Sequence, residues 1–260
     1  MLDSRVMIAK VARSIRKRTR RLLGAPLEPE ELLRRKTIAR VFLRGEGIEI
    51  GALHNPLKVP PAARVKYVDR LGLADLHREY PELAGKSLVH VDIQDDGETL
   101  ATLKDATQDF VIANHFVEHC ENPIRALRNM LRVLRPGGVL YLAIPDKRYT
   151  FDRDRPITPI EHLMRDYREG PAWSRRQHFE EWTRLVNKVA DAGKAAREAD
   201  DLMAKRAPIH FHVWTQTEML EMLAALRRMG AFDIELMFRR DNEVIFVLRK
   251  AMPPPDRADA

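Results

Sequence analysis

The stretch Asp109–Pro145 reads DFVIANHFVEHCENPIRALRNMLRVLRPGGVLYLAIP and contains a complete strand–helix–strand unit. Phe110–Ala113 is a short apolar run suited to a buried strand. Asn122 offers a cap, Pro123 fits the first helical position, and Ile124, Leu127, Leu131 and Leu134 repeat along one helical face. Pro136-Gly137-Gly138 then stops the helix, and Val139–Ile144 forms the next apolar run. A helix of this length between two strands is a crossover joining parallel neighbours.

The same rhythm extends upstream, where strands are expected near Ile48–Ile50, Val65–Val68 and Leu88–Val91. Downstream, Thr215 and Glu218 form a capping box, Met219, Leu223, Leu226 and Met229 follow at helical spacing, and Gly230 closes the helix. Phe232–Phe238 and Glu243–Leu248 come next, joined around Asp241-Asn242 by a turn too short for a crossover, so they form an antiparallel hairpin. The expected fold is α/β, a Rossmann-like sheet with helices on both faces.

Three segments stand outside this pattern. Residues 146–214 are far longer than the roughly 2–6 residues of an ordinary connection and read as an inserted helical lid within a domain spanning 46–250. The tail 251–260, rich in Pro and Asp, is expected to be disordered. At the other end, residues 1–45 form a basic helical extension, with Ile8, Val11, Ile15 and Leu22 spaced as one apolar face and a second helix from about Pro29 to Phe42.

Charge separates the extension from the body. Residues 1–24 carry eight basic side chains against Asp3, which accounts for the whole net charge of +7. The remainder is balanced, and this argues against a nucleic-acid partner. The basic helix is left with three readings: packing on the body or a second subunit, peripheral contact with an anionic membrane surface, or nucleic-acid binding. No apolar run approaches the ~20 residues of a membrane span, and no continuous apolar core follows the basic residues as in a secretory signal. Cys120 is the single cysteine, so no intramolecular disulfide and no multi-cysteine zinc site exists. A cytoplasmic location is expected.

Candidate ligand-binding residues sit at the ends of the predicted strands. GIEIGALHNPL, Gly47–Leu57, places Glu49 two residues before Gly51, a small residue past which a backbone can approach a ligand; alone this is a weak signal against an ordinary strand-to-helix turn with Asn55-Pro56 as breaker. VKYVDR ends in Asp69, 18 residues after Gly51, close to the roughly 20 expected for a carboxylate that accepts ribose hydroxyls, or else an exposed strand-end aspartate. Asp92 and Ile93 end the third strand, and Asn114 and His115 follow the fourth.

In this combination the chain resembles class I S-adenosylmethionine (SAM) dependent methyltransferases over roughly Glu46–Lys250, most specifically through Asp109–Pro145. The resemblance implies a seven-stranded sheet with the last strand antiparallel, and SAM as cofactor. Carried over by motif, Glu49, Gly51 and Ala52 would line the amino-acid end of SAM, Asp69 and Arg70 the ribose, Asp92 and Ile93 the adenine, and Asn114 and His115 the floor near the sulfonium. The chain departs from the family at GALHNP, where further glycines are usual; His54 or Asn55 would there replace backbone contacts. IPDKRYTFDRDRPITPIEHLMRDY and HFHVWT also resemble bacterial methyltransferase-like proteins associated with surface-polysaccharide synthesis, which implies a saccharide or nucleotide-sugar acceptor, or another small molecule.

Methyl transfer to a hydroxyl needs alignment, exclusion of water and a base for the released proton. The candidates are His115 and His119 first, then Asp146, His178, His210 and His212, each of which has a purely structural reading as well. His210 and His212 would share one face of a strand and could join Asp146 around a metal, but two histidines are a weak ligand set and no metal is expected. Tyr149, Phe151 and Trp214 would stack on a sugar ring or form the lid's own core; Arg148, Arg153 and Arg155 would bind phosphate or remain solvated. A catalytically inactive methyltransferase-like binding or scaffolding module is the main alternative. A nucleic-acid methyltransferase lacks the expected Asn-Pro-Pro-Tyr type motif, and an NAD enzyme lacks Gly-x-Gly-x-x-Gly.

Overall fold

A computed structural model describes residues 33–253. The amphipathic basic segment of 1–24, the start of the second expected helix and residues 254–260 of the tail lie outside the described residues. The chain begins with α1 (Arg35–Phe42), β1 (Gly45–Ile50), β2 (Ala63–Asp69), α2 (Leu73–Glu79), β3 (Ile93–Gln94) and β4 (Gln108–Asn114). It continues with α3 (Pro123–Val133) and β5 (Leu134–Pro145), an inserted segment containing α4 (Ile160–Glu169), α5 (Arg175–Leu185) and α6 (Ala192–Ala204), then α7 (Gln216–Arg227), β6 (Phe232–Arg240) and β7 (Glu243–Lys250).

One seven-stranded sheet runs in the order β3-β2-β1-β4-β5-β7-β6. The first five strands pair in parallel, and β7 is antiparallel to both β5 and β6. Side-chain alternation explains why the central strands read as continuous apolar runs. Phe110 and Ile112 of β4, Val139, Tyr141 and Ala143 of β5, and Ile245 and Val247 of β7 enter one core with Ile38 and Ala39 of α1. Their alternates, Val111 and Ala113, Leu140, Leu142 and Ile144, and Val244, Phe246 and Leu248, enter the opposite core with α3, α4 and α7. Burial on both faces requires apolar residues at every position.

Two boundaries differ from the sequence reading. The helix after Pro123 ends at Val133, and β5 starts at Leu134, because Leu134 pairs with Gln108 across a bulge before the regular register from Phe110 to Val139. Pro136-Gly137-Gly138 therefore lies inside a long strand instead of stopping the helix. The third strand is Ile93–Gln94, set by pairing of Val68 with Ile93 and Asp69 with Gln94, and Leu88–Val91 is irregular chain approaching it. No helix among the described residues is long and apolar enough to cross a membrane.

Candidate active site

Strand order reverses at β1 and β4, and the carboxyl ends of β1 to β4 open onto a cavity of about 770 Å³. Ile50, Gly51 and Leu53 line it from β1, Asp69 and Arg70 from β2, Asp96 and Gly97 after β3, and His115, Phe116 and His119 after β4. Tyr80 closes one side, and Phe179, Met203, Pro208 and Phe211 of the inserted segment contribute an apolar wall. The insertion thus reaches the crevice, as its position in sequence requires.

Gly51 has φ +63°, a conformation that disfavours side chains, and Phe116 at 3.8 Å is the nearest group to a Cβ built there. The backbone is therefore approachable from the cavity. Glu49, two residues earlier, turns away: its two carboxyl oxygens each accept from the Leu57 amide at 3.0 Å, and Asn114 Nδ2 lies 3.4 Å from one of them. Burial pushes the Glu49 carboxyl up to about 7, against these hydrogen bonds. Its work is to hold the 51–57 turn rather than to line the cavity, and Ala52 likewise stands beside the lining.

Asp69 lies in the cavity, with its pKa raised by burial, and among the described residues it accepts from neighbouring backbone amides, one of them Leu71 at 3.4 Å. The remaining carboxylate capacity is open to a diol. Arg70 pairs with Glu79 and so stays in place beside it. Asp92 and Ile93, expected at the adenine, lie elsewhere: Asp92 accepts from the Tyr67 amide at 2.8 Å, and Ile93 packs into the core. Asp96 and Gly97 take the corresponding place in the cavity wall, because the strand sits further along the chain than the apolar run LVHV suggested.

The two histidines after β4 are opposites. His115 has φ +50°, and its imidazole lies between Glu243, 2.9 Å from Nε2, and Glu118, 3.5 Å from Nδ1. Burial alone would lower its pKa, but the two carboxylates raise it to about 9, so the ring is a cation near neutrality. Arg35 of α1 reinforces Glu243 from the other side, with Nε 2.7 Å from the carboxylate. His119 is half-buried in the cavity wall, and the burial lowers its pKa. Its Nδ1 lies 3.0 Å from the Ile209 carbonyl, which accepts only a protonated nitrogen and therefore leaves Nε2 of the neutral ring as the basic atom.

The remaining candidates disperse. His210 and His212 do not share a face, because 208–213 forms no ladder to enforce alternation. His210 bonds Asp152 at 2.7 Å and meets the His119 ring edge-on, with centroids 4.7 Å apart. His212 enters a separate buried cluster with His162 and His178. Asp146, fully buried at the end of β5, is held by Arg148 at 2.6 Å and joins neither histidine in a ligand set. Arg155 is fully buried against Asp152 at 2.9 Å and Glu181 at 2.7 Å, leaving it neither solvated nor free for phosphate. Trp214 is core, whereas Tyr149 and Phe151 are exposed. Sequence reasoning missed Asp152, Glu118, Tyr80 and Phe116; only the adjacency of Glu118 to His119 gave any signal.

The residues at the cavity suit SAM: an approachable backbone at Gly51 and a partly unsatisfied carboxylate at Asp69. No curated protein sequence matches the chain. Similar solved structures include the CurJ carbon methyltransferase, at 12% identity and TM-score 0.44, where 81% of this chain spans about half, 49%, of that one. A SAM-dependent methyltransferase from Methanosarcina mazei is 15% identical over 87% of this chain and 99% of its own, with TM-score 0.44. One from Thermotoga maritima is 18% identical over 81% and 84%, with TM-score 0.45. At these scores the likenesses carry no functional information. The sequence itself is more telling: residues 59–142, from the approach to β2 through most of β5, match the family model described as a methyltransferase domain.

Proposed function

We propose that the protein is a SAM-dependent methyltransferase that methylates a hydroxyl of a small polar acceptor, a saccharide or nucleotide-sugar. The observation that carries this reading is the presence, in one cavity at the carboxyl ends of parallel strands, of the Asp69 carboxylate and a neutral His119. SAM, when bound, supplies an electrophilic methyl group on a sulfonium. Asp69 accepts from the ribose hydroxyls, and Tyr80, Ile50 and Phe116 supply apolar contact. His119 Nε2 takes the proton from the acceptor hydroxyl as the oxygen accepts the methyl group.

The apolar wall from the insertion keeps water from the reacting atoms. The resemblance of the inserted segment to methyltransferase-like proteins of surface-polysaccharide synthesis supports a sugar acceptor. Charge balance outside residues 1–24 disfavours nucleic acid, and the basic segment is where a membrane or partner contact would lie.

The test is calorimetric titration with SAM and S-adenosylhomocysteine, on the native chain and on Asp69→Ala, followed by turnover with nucleotide-sugars and glycans. Micromolar binding that weakens by about 10–100-fold in the variant, as loss of a buried charged hydrogen-bond partner predicts, supports the reading. A folded native chain that binds neither compound overturns it and leaves the non-catalytic module.

A further inference from the structure

We propose that His162, His178, His212 and Asp166 bind a divalent transition-metal ion of the zinc class, which fastens the inserted segment behind the wall of the cavity. The inference does not depend on the methyltransferase reading, and it departs from the sequence reading, in which no metal was expected. His162 and Asp166 stand one turn apart on α4, His178 comes from α5, and His212 from the extended chain before α7. One nitrogen from each imidazole lies within 4.8 Å of the others.

The spacings are those of a compact coordination shell. His162 Nε2 is 3.1 Å from His178 Nε2 and 3.2 Å from Asp166 Oδ2. Ligands about 2.0–2.1 Å from a tetrahedral ion stand about 3.3 Å from one another. Asp166 and His212 are both fully buried, and Asp166 Oδ2 and His212 Nδ1 have no hydrogen-bond partner. Such orphans are costly in a sealed site, and a cation ligated by the carboxylate and the imidazoles removes much of that cost.

His212 Nε2 lies 3.3 Å from the Glu121 carbonyl, which accepts only a protonated nitrogen, so the unpartnered Nδ1 keeps the lone pair that a metal takes. Supporting groups orient the carboxylate: Ser174 Oγ lies 3.2 Å from Asp166 Oδ1, and Asn122 Nδ2 donates to the Asp166 carbonyl at 2.7 Å. Three imidazoles and a carboxylate with no thiolate suit Zn²⁺, Co²⁺ or Ni²⁺ rather than Ca²⁺ or Mg²⁺. All four ligands come from protein, which is the closed arrangement of a structural ion. His178 adjoins Phe179 and His212 adjoins Phe211, and both aromatics line the cavity, so the ion would fix that wall.

The test uses the untagged full chain, stripped with a chelator and titrated with Co²⁺ and with Zn²⁺. About one equivalent is expected to bind with micromolar or tighter affinity, with visible Co²⁺ bands of tetrahedral intensity and a raised thermal midpoint. His162→Gln alters the least buried histidine of the set. It is expected to weaken uptake by at least about 100-fold, the upper end for loss of even a supporting group, with native circular dichroism retained. His119→Gln, in the neighbouring Glu118–His119–His210 cluster, leaves uptake unchanged. A folded stripped protein that takes up neither ion at micromolar concentration overturns the proposal. So does uptake that survives His162→Gln and disappears in His119→Gln, and the native Co²⁺ spectrum decides the matter if a variant fails to fold.

Discussion

His115 and His119 lie four residues apart, share a residue type and both border the cavity, yet their surroundings give them opposite proton affinities. The carboxylates of Glu118 and Glu243 keep His115 protonated, whereas burial keeps the His119 ring neutral, with Nδ1 on the Ile209 carbonyl and Nε2 left as its basic atom. In the proposed reaction, His119→Gln lowers kcat by about 10²–10⁴-fold, the range for loss of a general base, and leaves S-adenosylhomocysteine affinity essentially unchanged in the same calorimetric assay. His115 makes a prediction about stability. A pKa raised to about 9 gives stabilisation that is fully present below the ordinary value of about 6.5 and is lost as pH rises through 9. The linkage ceiling is about 3 kcal/mol, and because the side chain is 36% exposed, about 1 kcal/mol is the expected loss. Urea denaturation at pH 6, 8 and 10 checks it: the native chain weakens across this range and His115→Gln weakens less.

The elements were legible where a single period governed them. The apolar face of α3 and its Asn122-Pro123 start are as the sequence reads, with Asn122 Oδ1 accepting from the Arg125 amide at 3.0 Å. The same side chain also donates to the Asp166 carbonyl, joining the crossover helix to α4 of the insertion. Asn122→Ala therefore removes a cap and orphans a carbonyl, costing about 1–3 kcal/mol. The thermal midpoint should fall by about 3–10 °C, as read by calorimetry. Elements failed where pairing outranked composition. β3 has two residues, too few for any pattern, and its place is set by hydrogen bonds from β2. Gly137, at φ +76°, and Gly138 lie within β5 as a bulge between the Leu134–Gln108 and Val139–Phe110 pairs, which pairing with β4 defines and composition does not.

At the level of the whole molecule, the cavity draws on four strand ends and on an insertion that begins only after β5. A ligand that bridges these parts stabilises all of them together. S-adenosylhomocysteine at about 100 times its Kd is expected to add about 2.7 kcal/mol, read as a thermal shift of about 5–10 °C that Asp69→Ala greatly reduces at the same concentration. The alternation of apolar runs, the capped crossover helix, the terminal hairpin and the acidic end of β2 were all determined by sequence, because each depends on residues near one another in the chain. The tertiary structure alone decided that Asp96 replaces Asp92 at the cavity, that Glu49 holds a turn, and that His210 and His212 enter different clusters. It also decided the protonation of His115, which depends on Glu243, 128 residues away. Burial and charge are set by whichever side chains folding brings together, and local spacing along the chain does not encode those distant neighbours.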